Sequence, residues 1–178
     1  FDANAGLLTN DVVAIVSSSV CNNVVWTTGV SGVGFSGNAR LDVYASMHTE
    51  PNQSFSSWIG EVHFLSSGTD SVLFNGNRFY NNKIVFEPLN GHFTVLDLWH
   101  HYNSSTTLQL NQGPTGIIDF KNSFKGGRLV QSLSGVSNFD CSIEGGWAGN
   151  ELYTFTLNGS NATVNLFSNS SIYIFNHL

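Results

Sequence analysis

The chain has 178 residues, 41% hydrophobic, 13% aromatic and only 10% charged, with 18 glycines. Ordinary domains carry about a quarter charged residues, so the polarity here comes from Ser, Thr, Asn and Gly, which suits β structure on a particle or outside a cell. A formal charge of −6 with only six Lys and Arg excludes nucleic acid as a partner, because phosphate binding needs a basic footprint; no apolar run reaches the roughly 18 residues of a membrane span, and no signal peptide is visible.

Taken in chain order, Phe1–Val16 alternates short apolar beats with turn residues and lacks the run of a core strand. From Ala39 to Met47 apolar and polar residues alternate, and they do so again from Trp58 to Leu65, the period of a half-buried strand. Further strands read at Ser71–Phe74, Lys83–Phe86, His92–Trp99, Thr106–Leu110, Arg128–Leu133, Leu152–Leu157, Thr163–Phe167 and Ile172–Phe175. Between them stand turn residues such as Asn75-Gly76-Asn77, Asn90-Gly91 and Asn158-Gly159, and Asn-Gly pairs favour tight hairpins. Many short strands at regular spacing predict an all-β fold, an antiparallel β-sandwich of jelly-roll type. No linker or charge block divides the chain.

Little in the sequence names a reaction. His100 and His101 are adjacent, so on a strand they face opposite ways and cannot chelate one metal. His63 and His92 lack ligand spacing, Gly34-Phe35-Ser36-Gly37 lacks the spacing of a nucleophile elbow, and no pair of carboxylates is marked as acid and base. The expectation is no enzyme activity, no metal and no cofactor. Cys21 and Cys141 could bridge in a secreted protein; small buried thiols are the preferred reading. The sequons at Asn52, Asn103, Asn158, Asn161 and Asn169 carry weight only in a chain that enters the secretory pathway.

Two stretches read as ligand surface. Asn75–Lys83 combines Arg78 and Lys83 with Phe79, Tyr80 and four asparagines; sugars use planar amides for their hydroxyls and aromatic faces for their C–H surface. Arg78, Tyr80 and Asn82 are the candidate contacts there. Lys121–Arg128 holds three of the six cations, Lys121, Lys125 and Arg128, the natural place on an acidic chain for an anionic group such as a sialic-acid carboxylate. Ordinary polar loops are the plainer reading of both.

The opening Phe1–Leu7 with Asn10–Ile15 resembles the triple β-spiral repeat of viral attachment fibres. Asn22-Asn23-Val24-Val25-Trp26-Thr27-Thr28-Gly29 is similar to the stretch that opens adenovirus fibre heads, and Ser170–Phe175 to their last strand; the layout also resembles the avian reovirus fibre. Val25 stands where the adenovirus heads have Leu, and Val30–Gly34 replaces their proline-rich loop. The resemblance implies a last shaft repeat at 1–16 and a β-sandwich head at 17–178. It further implies a homotrimer at a fibre tip on the virion surface, assembled inside the infected cell and gripping a host-cell receptor, glycan or protein, without membrane insertion. Thiols would then be reduced and sequons unused. The rival reading is a secreted or phage carbohydrate-binding β-sandwich module.

Overall fold

A computed structural model describes residues 11–26, 32–78, 80, 83–97, 99–100 and 107–121, and beyond these the strand segments 124–125, 127–131, 134–139, 143–144, 152–157 and 161–166. The chain winds in coils of up to three short strands. The first coil is β1 (Val12–Ile15), β2 (Ser19–Cys21) and β3 (Val24–Val25); the second is β4 (Gly34–Gly37), β5 (Leu41–Val43) and β6 (Met47–His48); the third is β7 (Ser54–Trp58), β8 (Glu61–Phe64) and β9 (Thr69–Leu73). The fourth has β10 (Lys83–Phe86) and β11 (His92–Val95), and the fifth β12 (Trp99–His100), β13 (Thr107–Leu110) and β14 (Ile117–Phe120). The sixth is β15 (Phe124–Lys125), β16 (Gly127–Gln131) and β17 (Ser134–Phe139), and the seventh β18 (Ile143–Glu144), β19 (Leu152–Leu157) and β20 (Asn161–Leu166).

Each strand pairs with its equivalent in the next coil, and every pairing among the described residues is parallel. The coils therefore stack into a β-solenoid with walls of parallel strands. A seven-stranded second wall runs β2-β5-β8-β10-β13-β16-β19 and a seven-stranded third wall β3-β6-β9-β11-β14-β17-β20. The first wall comes in two blocks, β1-β4-β7 and β12-β15-β18. A position recurs after about 20–27 residues, within the range of repeat architectures: Leu41 lies beside Val62, then Ile84, Leu108 and Leu129.

This corrects the expected antiparallel β-sandwich. Alternation at period two reports that a strand has one buried face, not the direction of its neighbour. Of the turn residues that read as hairpins, Asn90-Gly91 is a corner between β10 and β11, Asn75-Gly76-Asn77 follows β9, and Asn158-Gly159 lies outside the described residues. Ala39–Met47 is not one strand but β5 and β6, parted at Tyr44–Ser46, and Trp58–Leu65 is split between β7 and β8 at Ile59-Gly60. Of the other sequence expectations, Ile172–Phe175 and residues 1–10 lie outside the described residues, while Val12–Ile15 forms β1 and pairs with β4.

Inward side chains repeat along the axis. Leu41, Val62, Ile84 and Leu108 form one buried ladder, and Val43, Phe64, Phe86 and Leu110 another. Phe64 and Phe86, register partners, stack with centroids 4.7 Å apart, the spacing of neighbouring strands. Phe93 meets both edge-on. In the first coils Trp26, Phe55 and Trp58 surround Phe35. Burying each such ring contributes about 2–3 kcal/mol. Cys21, on β2, is a free thiol whose pKa burial raises; Cys141 lies outside the described residues.

The corner between the second and third walls is built on a glycine ladder. His92 N donates to Gly68 O at 2.8 Å, Ile117 N to Gly91 O at 2.9 Å and Val136 N to Gly116 O at 2.9 Å. A Cβ at Gly116 would lie 2.1 Å from Pro88 O and 2.8 Å from Gln112 Cβ, so neighbouring coils leave no room for a side chain. Gly116→Ala is expected to cost about 2–4 kcal/mol in urea unfolding. Gly76→Ala is the control: its φ is +79° but nothing lies within 4 Å of the added Cβ, so it should cost only about 1 kcal/mol. Equal costs would contradict the close coil contact.

Candidate ligand-binding site

Among the described residues, those between β9 and β10 form no strand, and β7 is the last strand of its first-wall block. The segment between β9 and β10 includes Asn75-Gly76-Asn77-Arg78 and Tyr80. With β7 and the residue before it, the segment frames an open groove of ≈ 330 Å³ lined by Gln53, Ser54, Phe55, Ser56, Gly76, Asn77, Arg78 and Tyr80.

Side chains hold this segment. Asn77 is 5% exposed. The two hydrogens of its Nδ2 are shared among Thr49 Oγ1 at 2.9 Å, Glu50 O at 2.8 Å and Phe74 O at 2.7 Å, while its Oδ1 accepts from Gln53 N at 3.0 Å. Asn75 takes a left-handed φ of 51°, which Asn tolerates, and its amide donates to Thr49 O. From the other side Asp97 accepts from Phe74 N at 2.9 Å and Gly76 N at 3.4 Å. The turn is thus tied to the third coil by Asn75 and Asn77 and to the fourth by Asp97.

These contacts sort the residues singled out in the sequence. Arg78 and Tyr80 line the groove and are half-buried. Asn75 and Asn77, which composition marks as sugar-binding amides, hold the turn instead. Phe79, Asn81 and Asn82 lie outside the described residues. The second stretch is dispersed. Lys121 is exposed after β14, with Nζ 3.7 Å from Asp119 Oδ2, an oxygen that His92 Nε2 also approaches at 2.9 Å. Lys125 falls in the first wall between His100 and Glu144, and Arg128 in the second wall between Thr107 and Thr154. Residues close in sequence are set on three sides of the rod. Among the described residues no group of three or more His, Cys, Asp and Glu is placed to hold a metal.

One groove residue escaped the sequence reading. Gln53 is 6% exposed, and neither Oε1 nor Nε2 has a hydrogen-bond partner. Ser54 N donates to Val33 O at 3.2 Å, which sets Gln53 beside Val33, an inward position that is fully buried in the coil before it. The signal available was a polar residue at an interior place in the Gln53-Ser54-Phe55 alternation. An unpaired buried amide costs about 1–3 kcal/mol, and Gln53 leaves both of its amide atoms unbonded.

Asn77→Ala should cost about 2–4 kcal/mol, because it removes the side-chain partners of buried Gln53 N, the Glu50 carbonyl and Thr49 Oγ1. Ser56→Ala, on the exposed face of β7, should stay within about 0.5 kcal/mol. Thermal unfolding of the two variants checks the contrast, and an Asn77→Ala as stable as Ser56→Ala would remove the bracing role. No family model matches this sequence, and no curated protein or solved structure matches it.

Proposed function

We propose that the chain is an attachment module that binds a surface glycan in the groove beside β7. The supporting observation is the partnerless Gln53 amide on a groove that also carries Arg78, Tyr80, Ser54 and Ser56. A primary amide offers one donor edge and one acceptor, the pattern that sugar hydroxyls match. Tyr80 supplies an aromatic face, and Arg78 supplies a cation that suits an acidic sugar such as a sialic acid. This reading takes the attachment role from the likeness to fibre heads and leaves their fold aside. A carbohydrate-binding module of a cell-surface or secreted protein would use the same groove. In a fibre, homotrimeric display would raise avidity; sedimentation showing three chains supports that arrangement, and a monomer removes it.

The test turns on opposite effects in one variant. Gln53→Leu keeps the volume and removes both unpaired atoms, so it is expected to leave stability unchanged or raise it by about 1 kcal/mol. The same change should lower binding on a glycan array at least fivefold, as should Arg78→Ala. An array with no hit for the parent protein would sink the proposal, as would hits that survive both substitutions.

A further inference from the structure

A second groove, of ≈ 390 Å³, lies on another part of the rod, at the corner between the second and third walls. It is lined by Asn22, Tyr44, Leu65, Ser66, Ser67, Glu87 and Leu89. Backbone bonds show how it is built: Tyr44 N donates to Cys21 O at 3.0 Å, Leu65 N to Val43 O at 2.7 Å and Glu87 N to Phe64 O at 2.8 Å. Asn22, Tyr44, Leu65 and Glu87 thus form a row, one residue from each of the first four coils. With strands about 4.8 Å apart the row is about 15 Å long, the reach of four or five extended residues.

The chemistry of the row is specific. Tyr44 is 52% and Leu89 68% exposed, large apolar surfaces beside a carboxylate. Behind Glu87 stands His63, itself 4% exposed. His63 Nε2 lies 3.0 Å from Glu61 Oε2 and Nδ1 lies 3.3 Å from Glu87 Oε1, but Nδ1 makes no hydrogen bond. The hydrogen bond between His63 and Glu61 holds Glu61 below the usual carboxylate range. No Lys or Arg lines the groove. The groove thus sets the Glu87 carboxylate beside the apolar surfaces of Tyr44 and Leu89, a setting complementary to a cation flanked by apolar groups.

We propose that this corner groove binds an extended peptide segment carrying a lysine or arginine between apolar residues. The basic side chain pairs with Glu87 across the face of Tyr44, where a cation is favoured over an aromatic ring. Its apolar neighbours cover Leu65 and Leu89. The net charge of −6 favours approach of such a segment.

The experiment titrates the full chain with two blocked pentapeptides, Ac-Leu-Ala-Lys-Ala-Leu-NH2 and the same peptide acetylated on the lysine Nζ, by calorimetry and by NMR shifts. The unmodified peptide is expected to bind in the millimolar range or tighter, with shifts at Tyr44, Leu65 and Leu89. Acetylation and Glu87→Gln should each weaken it about tenfold, and together no more than either alone, the mark of one shared interaction. Tyr44→Ala should also weaken it, while Arg78→Ala should not. Circular dichroism of each variant confirms the fold. Equal binding of the two peptides, shifts confined to the first-wall groove, or no binding at millimolar concentration would overturn the proposal.

Discussion

Parallel, in-register stacking is the constraint on which everything else in this molecule depends. Once coil-to-coil backbone bonds fix the register, whatever stands at an inward position must pack on its equivalent above and below. Phe86 fits under Phe64 because the strand spacing and the ring-stacking distance agree. The same rule governs the corners, where Gly116 leaves space for Pro88 O that no side chain could share. It also governs inward polar groups, which must be satisfied from the next coil. Gln112 obeys, donating to Ser137 Oγ at 2.6 Å and Val136 O at 3.2 Å across a coil boundary.

Read this way, the turn after β9 shapes the candidate site. Among the described residues no first-wall strand follows β9 in this stretch, and Asn77 and Asp97 hold the turn by side chain. Asn77 spends its full amide capacity within the fold, so it is part of the scaffold and not of the ligand surface. Gln53 lines the adjoining groove with nothing to bond. A core position that keeps an unpaired amide gives up stability, and such losses are concentrated where binding is made.

The sequence disclosed the strands better than their arrangement. Lys83–Phe86 and Leu152–Leu157 are strands at the predicted bounds, because alternating side chains report burial directly. Direction was hidden, since the same alternation serves either sense of pairing. The clue lay in Gly68, Gly91, Gly116 and Gly135, each followed four residues later by an apolar residue, Val72, Val95, Phe120 and Phe139, which share one register position and of which the first three are buried. Their irregular separation of about 19–25 residues, set by corners of differing length, masks the repeat. The site was legible in part for a similar reason. Arg78 and Tyr80 sit together because they share one turn. Lys121, Lys125 and Arg128 are parted because the chain rounds a corner every few residues. Glu61, His63 and Glu87 come together only through the stacking of coils, which spacing along the chain does not express.

The two grooves differ because the solenoid makes two kinds of concavity. A corner repeats once per coil, so it lays out a line of side chains along the axis at a fixed interval. Such a line matches an extended ligand that presents a group at each step. The groove beside β7 is instead framed by the edge of one block and by the turn that Asn77 and Asp97 hold, and it follows no row of corners. The electrostatics follow the same division. Arg78 lines the groove beside β7, whereas Glu87 lines the corner groove, 3.3 Å from His63 Nδ1. A chain with so few charges thus sets opposite ones at these two grooves.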